Sequence, residues 1–362
     1  MDIWSETMFV DLHTHTTGSD GSYTPKELIE AALDKNIEIL SITDHDTLDG
    51  VKSLFQKLSS EDYDFGLSHR VIICSQISDP NRSTTSNVCM ISGTGAQISD
   101  SNELTENGSR KTSSEPSMDK ARRQTSVGRW AMDETKIFSN ILVFVPGVEI
   151  SAEFPKTLHI LGYGIDINNE KLNSTLKELQ DYRLNRNKRM VENMNNLGFE
   201  ITLEELKKKS GGDLIGRPHF AQLMLEKGYV DSYQEAFDKY LKKGAPLYMN
   251  KKRLDPDEAI ELILKSGGVP VLAHPYQTRL NYDDLHSLIK ELVSYGLKGI
   301  EAFYSQHTKE MTKKYLEFAN EFDLFVTAGS DFHGDNKPEI ELGMQVPYIF
   351  LQKFLCGIQN HS

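Results

Sequence analysis

The chain has 362 residues, of which 38% are hydrophobic, 26% charged and 9% aromatic, and its formal net charge is −13 at pH 7. This composition is typical of a globular protein with a full core, and the negative charge argues against a broad basic face for duplex nucleic acid. Because no run approaches the roughly 18 apolar residues of a membrane helix, we expect neither duplex DNA nor a membrane among its partners.

The cysteines and the N-terminal segment indicate a reducing compartment. Cys74, Cys89 and Cys356 show no CxxC spacing and cannot form a disulfide framework. The first residues are acidic and lack both the apolar run of a secretory signal and the arginines of a transit peptide. We therefore expect a cytoplasmic protein, while the sequence leaves the oligomeric state open.

Seven short apolar runs predict seven strands, most of them followed by a helical pattern. The predicted strands are residues 9–12, 38–43, 141–150, 158–163, 269–273, 299–304 and 324–328. This alternation predicts a parallel α/β architecture, and the number of strands suits a closed or nearly closed barrel.

Two stretches interrupt the alternation. Residues 59–139 are rich in Ser, Thr, Asn and Gly, and we expect a long disordered insertion with at most one isolated strand at HRVIICSQI. Within it, residues 122–126 (RRQTS) resemble a basic-directed kinase site, although an unmodified polar tract is the simpler interpretation. Residues 168–255 carry apolar residues at helical spacing and predict a small α-helical cap. The predicted barrel segments are then 1–58, 140–167 and 256–362.

Histidines and carboxylates stand at or near the C-terminal ends of six predicted strands. Side chains two residues apart in a strand face the same side, so His13 with His15 and Asp331 with His333 can each bind one metal ion. Glu149 lies within an apolar run, where a buried carboxylate requires a partner or a metal ion. The nine candidate ligands are His13, His15, Asp20, His45, Glu149, His159, His274, Asp331 and His333.

Each of these residues alone has an ordinary structural explanation, but their joint placement predicts a metal centre. Mixed histidine and carboxylate ligands suit Mn²⁺, Zn²⁺ or Fe²⁺ better than Ca²⁺ or Mg²⁺. Nine ligands exceed the needs of one or two ions, so we expect three divalent ions, with Mn²⁺ as the first choice. Such a centre can generate hydroxide from bound water at neutral pH. Asp44 or Asp46 would orient His45 or the water.

The motifs HTHTTGSDG, ITDHDT, PGVEIS, LAHP and GSDFH resemble, in this order, those of the PHP (polymerase and histidinol phosphatase) family. The resemblance implies a distorted (β/α)7 TIM-like barrel with an inserted α-helical cap and a trinuclear centre with a bridging hydroxide. The implied ligands are His13, His15, Glu149 and Asp331 for one ion, Glu149 as a bridge with His159 and His274 for a second, and Asp20, His45 and His333 for a third.

The segments GRPHFAQLM, YLKKGAPLYMNKKRL and GGVPVLAHP are similar to a capped subgroup of this family, which contains 3′,5′-nucleoside bisphosphate phosphatases that also trim short RNA from the 5′ end. The resemblance implies that Arg186, Arg217, His219 and Lys251 bind the phosphates of the substrate. An arginine and a histidine at a helix N-terminus suit that role, although a solvated Arg217 would give the same pattern. Asp44 and His219 are the candidate catalytic residues.

We predict a metal-dependent phosphoesterase for 3′,5′-nucleoside bisphosphates or short 5′-phosphorylated RNA. The nearest alternative is a phosphatase for another small phosphomonoester, such as histidinol phosphate. An amidohydrolase is disfavoured because no middle strand offers a lysine for a bridging carbamate. A non-catalytic metal-binding module is disfavoured because no ligand of the family pattern is missing.

Overall fold

The computed structural model describes residues 7–58, 70–73, 75–77, 86–88, 91–92, 141–210 and 215–360. The strands are β1 (Thr7–Asp11), β2 (Ile39–Ile42), β3 (Arg70–Ile73), β4 (Ser75–Ile77), β5 (Ser86–Val88), β6 (Ile91–Ser92), β7 (Ile141–Ser151), β8 (His159–Tyr163), β9 (Val269–Leu272), β10 (Gly299–Tyr304), β11 (Phe325–Gly329) and β12 (Met344–Pro347). The helices are α1 (Pro25–Asp34), α2 (Asp49–Leu58), α3 (Glu170–Asn196), α4 (Leu203–Ser210), α5 (Arg217–Glu226), α6 (Tyr233–Ala236), α7 (Pro256–Lys265), α8 (Tyr282–Tyr295), α9 (Lys309–Glu321) and α10 (Tyr348–Asn360).

Seven strands form a barrel in the order β11-β10-β9-β8-β7-β2-β1. The barrel closes between the residues that follow β1 and those at the end of β11. There, Leu12 N donates to Ala328 O and Asp331 N donates to His13 O, both over 2.9 Å. Strand β12 pairs antiparallel with β1. These contacts confirm the predicted distorted (β/α)7 TIM-like barrel.

One strand direction differs from the prediction. Strand β8 runs antiparallel to both β7 and β9, so the expectation of a purely parallel barrel is wrong. The connection between Ser151 and His159 is too short for a parallel crossover, which needs a dozen or more residues. The reversal brings His159, the first residue of β8, to the barrel end where the parallel strands finish. His159 is therefore at the N-terminal end of its strand and not near the C-terminal end.

The segment HRVIICSQI, predicted as one isolated strand, contains two short strands. Strand β3 belongs to the barrel sheet, and β4 pairs antiparallel with β5 in a separate two-stranded sheet. Strand β3 pairs in parallel with β7, from Arg70 opposite Ile141 to Ile73 opposite Phe144, and antiparallel with β6. The other predictions for residues 59–139, including the RRQTS motif, lie outside the described residues, as do Cys74 and Cys89. Among the helices that the structure describes, none has both the length and the apolar character needed to cross a bilayer.

Local sequence signals fix where the elements begin. Helix α1 starts at Pro25 after the N-cap Thr24, whose hydroxyl accepts a hydrogen bond from Glu27 N while the Glu27 carboxylate accepts one from Thr24 N. The four residues of β2 are all buried, as expected for a barrel strand that is covered by helices. Helices therefore surround the strands and leave the strand ends free to build a site.

The predicted cap, residues 168–255, contains helices α3 to α6. The first half of the long helix α3 packs on the barrel core through Leu172, Leu176 and Leu179. Its second half contributes Met190 and Met194 to a separate apolar cluster with α5. The arginines between these two groups therefore lie where the cap meets the barrel.

Candidate metal centre

The segment that follows β1 presents two buried histidines to one space. His13 and His15 are fully buried, and the backbone remains attached to the loop after β11, since His15 N donates to Phe332 O over 2.8 Å. Because alternate residues of an extended segment face the same side, the two imidazole centroids lie 5.2 Å apart.

Glu149 lies at the centre of the histidines, and its two oxygens face different sets. Its Oε2 atom lies 3.3 Å from the Nε2 atoms of both His13 and His15, and 2.8 Å from His45 Nδ1. Its Oε1 atom lies 2.7 Å from His159 Nδ1 and 2.9 Å from His274 Nε2. This division of the two oxygens is the geometry expected of a carboxylate that bridges two ions.

A second group of carboxylates flanks the histidines on the β11 side. Asp331 Oδ1 lies 3.2 Å from His15 Nε2, and the half-buried Asp20 lies 3.3 Å from His333 Nε2 and 3.8 Å from His45 Nε2. The potential ligand atoms fall into four overlapping groups, which are His13, His15 and Asp331; His13, Glu149 and His274; His45, Glu149 and His159; and His15, Asp20, His45 and His333. All nine candidate ligands are thus brought together.

The atoms that face the middle of this cluster fit metal ligation. Four of them are buried without a hydrogen-bond partner in the part of the chain that the structure describes: His13 Nε2, His15 Nε2, His45 Nδ1 and Glu149 Oε2. A buried polar atom left without a partner costs about 1–3 kcal/mol, so four converging orphans indicate that another group satisfies them. Imidazole nitrogens and carboxylate oxygens together suit Mn²⁺, Zn²⁺ or Fe²⁺.

The charges of the cluster also suit cations. Burial raises the pKa of Glu149, but the surrounding imidazoles, led by His45, hold it well below its usual range. The pKa of Asp331 is lowered in the same way by His15 and its neighbours, against the effect of burial. Burial lowers the pKa of His159 to about 4. These carboxyl groups are therefore ionised and His159 is neutral. Against the effect of burial, the neighbouring carboxylates raise the pKa of His15 to about 9 and that of His13 well above its ordinary value, so these two imidazoles would release a proton when an ion binds.

Backbone strain is concentrated at the same place. Three residues at the cluster, Asp46, His274 and Asp331, have positive φ angles of 53°, 23° and 62°. Such conformations are unfavourable for residues other than glycine and tend to persist at functional sites that the surrounding structure over-determines.

The hydrogen bonds that the described residues make to the Asp44 carboxylate come from the loop after His15. The carboxylate accepts hydrogen bonds from Thr16 N, from Thr16 Oγ1 and from Ser19 Oγ over 2.6–2.7 Å, and Ser19 Oγ lies 3.4 Å from His15 Nδ1. These contacts favour a role in holding the loop after His15, and they do not favour the catalytic role predicted for Asp44.

Asp46 joins the cap to the barrel. Its carboxylate accepts hydrogen bonds from Ser151 N over 2.9 Å, from Arg183 and from Lys251 Nζ, which lies 3.0 Å away. Its backbone oxygen accepts a hydrogen bond from Gln180. One buried carboxylate therefore anchors two cap cations beside the end of β7.

Two further cap cations, Arg186 and Arg217, have neutral partners among the contacts of the described residues. The guanidinium of Arg186 donates to the Asn187 side chain and to Ile215 O, and that of Arg217 donates to Leu241 O and lies over the Tyr248 ring. Burial and the neighbouring Arg183 lower the pKa of Arg186 to about 10. Positive charge is thus in excess where the cap faces the metal centre.

His219 lies in the first turn of α5, where its Nδ1 atom accepts a hydrogen bond from Gly216 N over 3.0 Å. Burial lowers the pKa of His219, and the carboxylate of Asp20 acts against this effect. The start of α5 is therefore directed to the same end of the barrel as Asp20.

Sequence reasoning missed several residues that contact the ligands. Glu301 in β10 lies 2.9 Å from His13 Nδ1, and the second oxygen of Asp331 accepts hydrogen bonds from the Tyr304 hydroxyl and from Lys337 over 3.0 and 2.9 Å. The signal for Glu301 was present, since it is a carboxylate in the apolar run GIEAFY, as Glu149 is in PGVEIS.

A protein-family model described as the PHP domain matches residues 11–119. The chain is 25% identical over 337 residues to the 5′-3′ exoribonuclease Rnm of Escherichia coli, covering 93% of this chain and 88% of that protein. It is 24% identical over 336 residues to a 3′,5′-nucleoside bisphosphate phosphatase of Chromobacterium violaceum, covering 92% and 90%. It is 25% identical over 349 residues to a phosphoribosyl 1,2-cyclic phosphate 1,2-diphosphodiesterase of Eggerthella lenta, covering 94% and 100%.

Solved structures share the fold. A protein from Bifidobacterium adolescentis described as a metal-dependent phosphoesterase superposes with a TM-score of 0.62 at 24% identity, covering 97% of this chain and 96% of that chain. An amidohydrolase from Chromobacterium violaceum with bound sulfate and no metal superposes with a TM-score of 0.61 at 22% identity, covering 93% and 90%.

Proposed function

Because the chain carries a PHP domain, we propose that it is a metal-dependent phosphoesterase that hydrolyses 3′,5′-nucleoside bisphosphates or short 5′-phosphorylated RNA. The observation that carries the proposal is the meeting of two charged surfaces. A cluster of nine histidine and carboxylate side chains lies beside four cap cations. Arg183 and Lys251 share the carboxylate of Asp46, and the contacts of Arg186 and Arg217 among the described residues are with neutral groups. Excess positive charge beside a metal centre is suited to a substrate with more than one phosphate.

Divalent ions held by the nine side chains would activate water and take up the charge that develops on the phosphoryl oxygens. The chain itself fixes the positions of the ligands. Glu149 separates two sets of imidazoles with its two oxygens, and Asp331 keeps one oxygen for His15 because Tyr304 and Lys337 occupy the other. The reacting phosphate would therefore be held at the end of the barrel where the nine side chains meet.

The second phosphate would bind to the cap. Arg186 and Arg217 direct guanidinium groups toward neutral partners, so a phosphate would meet little competition from protein carboxylates. Lys251 contributes an ammonium group at the end of β7, 2.8 Å from Ser151 Oγ. A nucleoside bisphosphate or a 5′-phosphorylated RNA end carries phosphates that can occupy both places.

His219 would donate a hydrogen bond to the substrate. Its Nδ1 atom accepts from Gly216 N, so the proton of the neutral ring resides on Nε2. Burial favours this neutral form because it lowers the pKa of the side chain. A neutral imidazole with a protonated Nε2 is able to donate to a phosphoryl or leaving-group oxygen.

The proposal is tested by measuring phosphate or nucleotide release from four substrates in the presence of Mn²⁺. The substrates are adenosine 3′,5′-bisphosphate, a short 5′-phosphorylated RNA, a five-membered cyclic phosphodiester of ribose and p-nitrophenyl phosphate. We expect turnover of the bisphosphate or the RNA to exceed that of p-nitrophenyl phosphate, and to vanish in the variants His13→Ala and Asp331→Ala. Turnover of p-nitrophenyl phosphate alone would contradict the assignment of the cap, and no turnover at all would favour a non-catalytic module.

Substrate binding is expected to weaken as the pH rises through about 8, because burial and the adjacent Arg183 lower the pKa of Lys251 to about 8 against the effect of Asp46. Below this pH the ammonium group is charged and binds phosphate, and above it the neutral amine does not. A charge-assisted hydrogen bond contributes about 1.5–3 kcal/mol, so kcat/KM for adenosine 3′,5′-bisphosphate should fall by about tenfold or more. Initial rates across this pH range give the measurement.

The matched variant for the pH dependence is Lys251→Arg. A guanidinium remains charged throughout the range, so the fall of kcat/KM near pH 8 should disappear even if the absolute rate is lower. The same fall in both proteins would assign it to a different group.

A further inference from the structure

Glu301 is a fully buried carboxylate in β10 that engages two ligand-bearing segments. Its Oε1 atom lies 2.9 Å from His13 Nδ1, and its Oε2 atom accepts a hydrogen bond from the backbone N of His274 over 2.7 Å. Both oxygens are thus committed to the segments that follow β1 and β9. Glu301 is outside the set of nine candidate ligands.

The contact with Glu301 determines which nitrogen of His13 carries the proton. A carboxylate can only accept hydrogen bonds, so its partner Nδ1 must be protonated. When the ring is neutral, as a metal ligand must be, its lone pair is then on Nε2, which lies 3.3 Å from Glu149 Oε2 and 3.7 Å from Asp331 Oδ1. His13 Nε2 is also one of the buried atoms without a hydrogen-bond partner among the described residues.

The contact is held by close packing of three strands. A Cβ atom at Gly329, the last residue of β11, would lie 2.2 Å from His13 Cβ and 2.7 Å from Glu301 Oε1. No side chain fits there, because a Cβ essentially never approaches another heavy atom within 3.0 Å. The pair formed by His13 and Glu301 is therefore fixed by β1, β10 and β11 together.

We propose that Glu301 is a positioning residue for the metal centre, which holds His13 in the Nδ1-protonated form so that Nε2 is available to a divalent ion. Carboxylates and carbonyls that accept from a ligating imidazole commonly have this role. The inference rests on the metal centre of the proposed function and assigns part of its affinity to a side chain that does not itself bind the ion.

The test is the affinity of the full-length chain for Mn²⁺, measured by competition with a chelating dye, in the variant Glu301→Gln. The amide oxygen of glutamine can accept from only one of the two donors. If the amide oxygen accepts from His274 N, the NH₂ group faces His13 Nδ1 and forces the proton of His13 onto Nε2, where it blocks ligation. If the amide oxygen accepts from His13 Nδ1, the NH₂ group faces the N–H of His274, and two donors then meet without an acceptor. We therefore expect the affinity to fall by about 10–100-fold.

Two further variants separate positioning from general stability. Glu38→Gln makes the same change at the opposite end of the barrel, where Glu38 accepts from Phe9 N over 2.9 Å, and should leave Mn²⁺ affinity unchanged. Glu301→Asp keeps the charge and should restore part of the affinity. In the Zn²⁺-loaded wild type, a nitrogen-15 spectrum should show His13 protonated at Nδ1.

The outcomes distinguish the two proposals. A Glu301→Gln chain that binds Mn²⁺ with wild-type affinity, or a Zn²⁺-loaded wild type with His13 unprotonated at Nδ1, would overturn the role of Glu301 alone. A wild-type chain that binds neither Mn²⁺ nor Zn²⁺ would overturn the metal centre, and with it the proposed function. Melts in the presence of a chelator should show a cooperative transition for Glu301→Gln as for wild type and Glu301→Asp, which separates a change in affinity from a failure to fold.

Discussion

The variant Glu149→Gln is expected to lose phosphoesterase activity by at least about 10³-fold in kcat/KM, which corresponds to about 4 kcal/mol of transition-state stabilisation. One oxygen of Glu149 faces His15 and its neighbours, and the other faces His159 and His274. Glutamine would present an NH₂ group to one of these sets, which would remove a ligand atom and place a donor among imidazoles. Initial rates on adenosine 3′,5′-bisphosphate, together with the metal content of the purified chain, give the measurement.

The control for this variant is Glu258→Gln, the same substitution in the capping box of α7. Glu258 contributes to helix capping, so its replacement should cost about 1 kcal/mol of stability or less and leave kcat/KM close to that of the wild type. Retention of more than a tenth of the activity in Glu149→Gln would contradict a bridging role for Glu149.

The positions of the barrel strands could be predicted from the sequence, but the direction of β8 could not. Apolar runs report burial, and burial of a strand is the same whichever way it runs. The length of the connection from β7 to β8 carried the missing information, because the segment between Ser151 and His159 cannot contain a crossover helix. The attachment of β3 to β7 was missed because a single short strand in a polar stretch offers no partner of its own.

The nine candidate ligands could be selected from the sequence because they occur in short histidine and carboxylate motifs at the ends of predicted strands. His13 and His15 are two residues apart, and the structure gives them a common space. The groups around the ligands could not be selected in this way. Asp44 stands next to His45 in the chain, yet its hydrogen bonds lead to Thr16 and Ser19. Proximity in sequence does not reveal these partners, which only the tertiary contacts show, and the catalytic role of Asp44 stays a prediction.

The junction between cap and barrel is another feature that only the fold discloses. Arg183 in α3 and Lys251 near the end of the cap are far apart in the chain, and both contact the buried carboxylate of Asp46. Asp46 follows His45 directly, so the position of the cap cations is linked to that of a candidate ligand through one peptide bond. Under the proposed function, a phosphate bound by the cap would therefore lie at a fixed distance from the metal centre.

Divalent ions are expected to raise the unfolding midpoint of the chain substantially, even without substrate. The structure holds ionised carboxylates and buried orphan nitrogens in one place, and an ion that binds only this folded arrangement stabilises it by mass action. At a free concentration about 100 times the dissociation constant, one site adds about 2.7 kcal/mol. At about 2.1 cal/mol/K of unfolding entropy per residue, each kcal/mol corresponds to about 1–2 °C for a chain of this length, so one site should raise the midpoint by about 3–5 °C and several sites by more.

Circular dichroism melts of chelator-treated protein, with and without added Mn²⁺, Zn²⁺ or Mg²⁺, measure this effect. The histidine-rich ligand set should give larger shifts with Mn²⁺ and Zn²⁺ than with Mg²⁺, because imidazole is a poor ligand for the latter. Asp331→Ala removes the carboxylate that lies 3.2 Å from His15 Nε2 and should reduce the shift without abolishing it, since His45, Glu149 and His159 form a group that lacks Asp331. Equal midpoints with and without ions would refute the metal centre. Burying these polar side chains is unfavourable without a partner, and they are assembled only in the folded chain, so an ion that they bind must favour the folded state over the unfolded one.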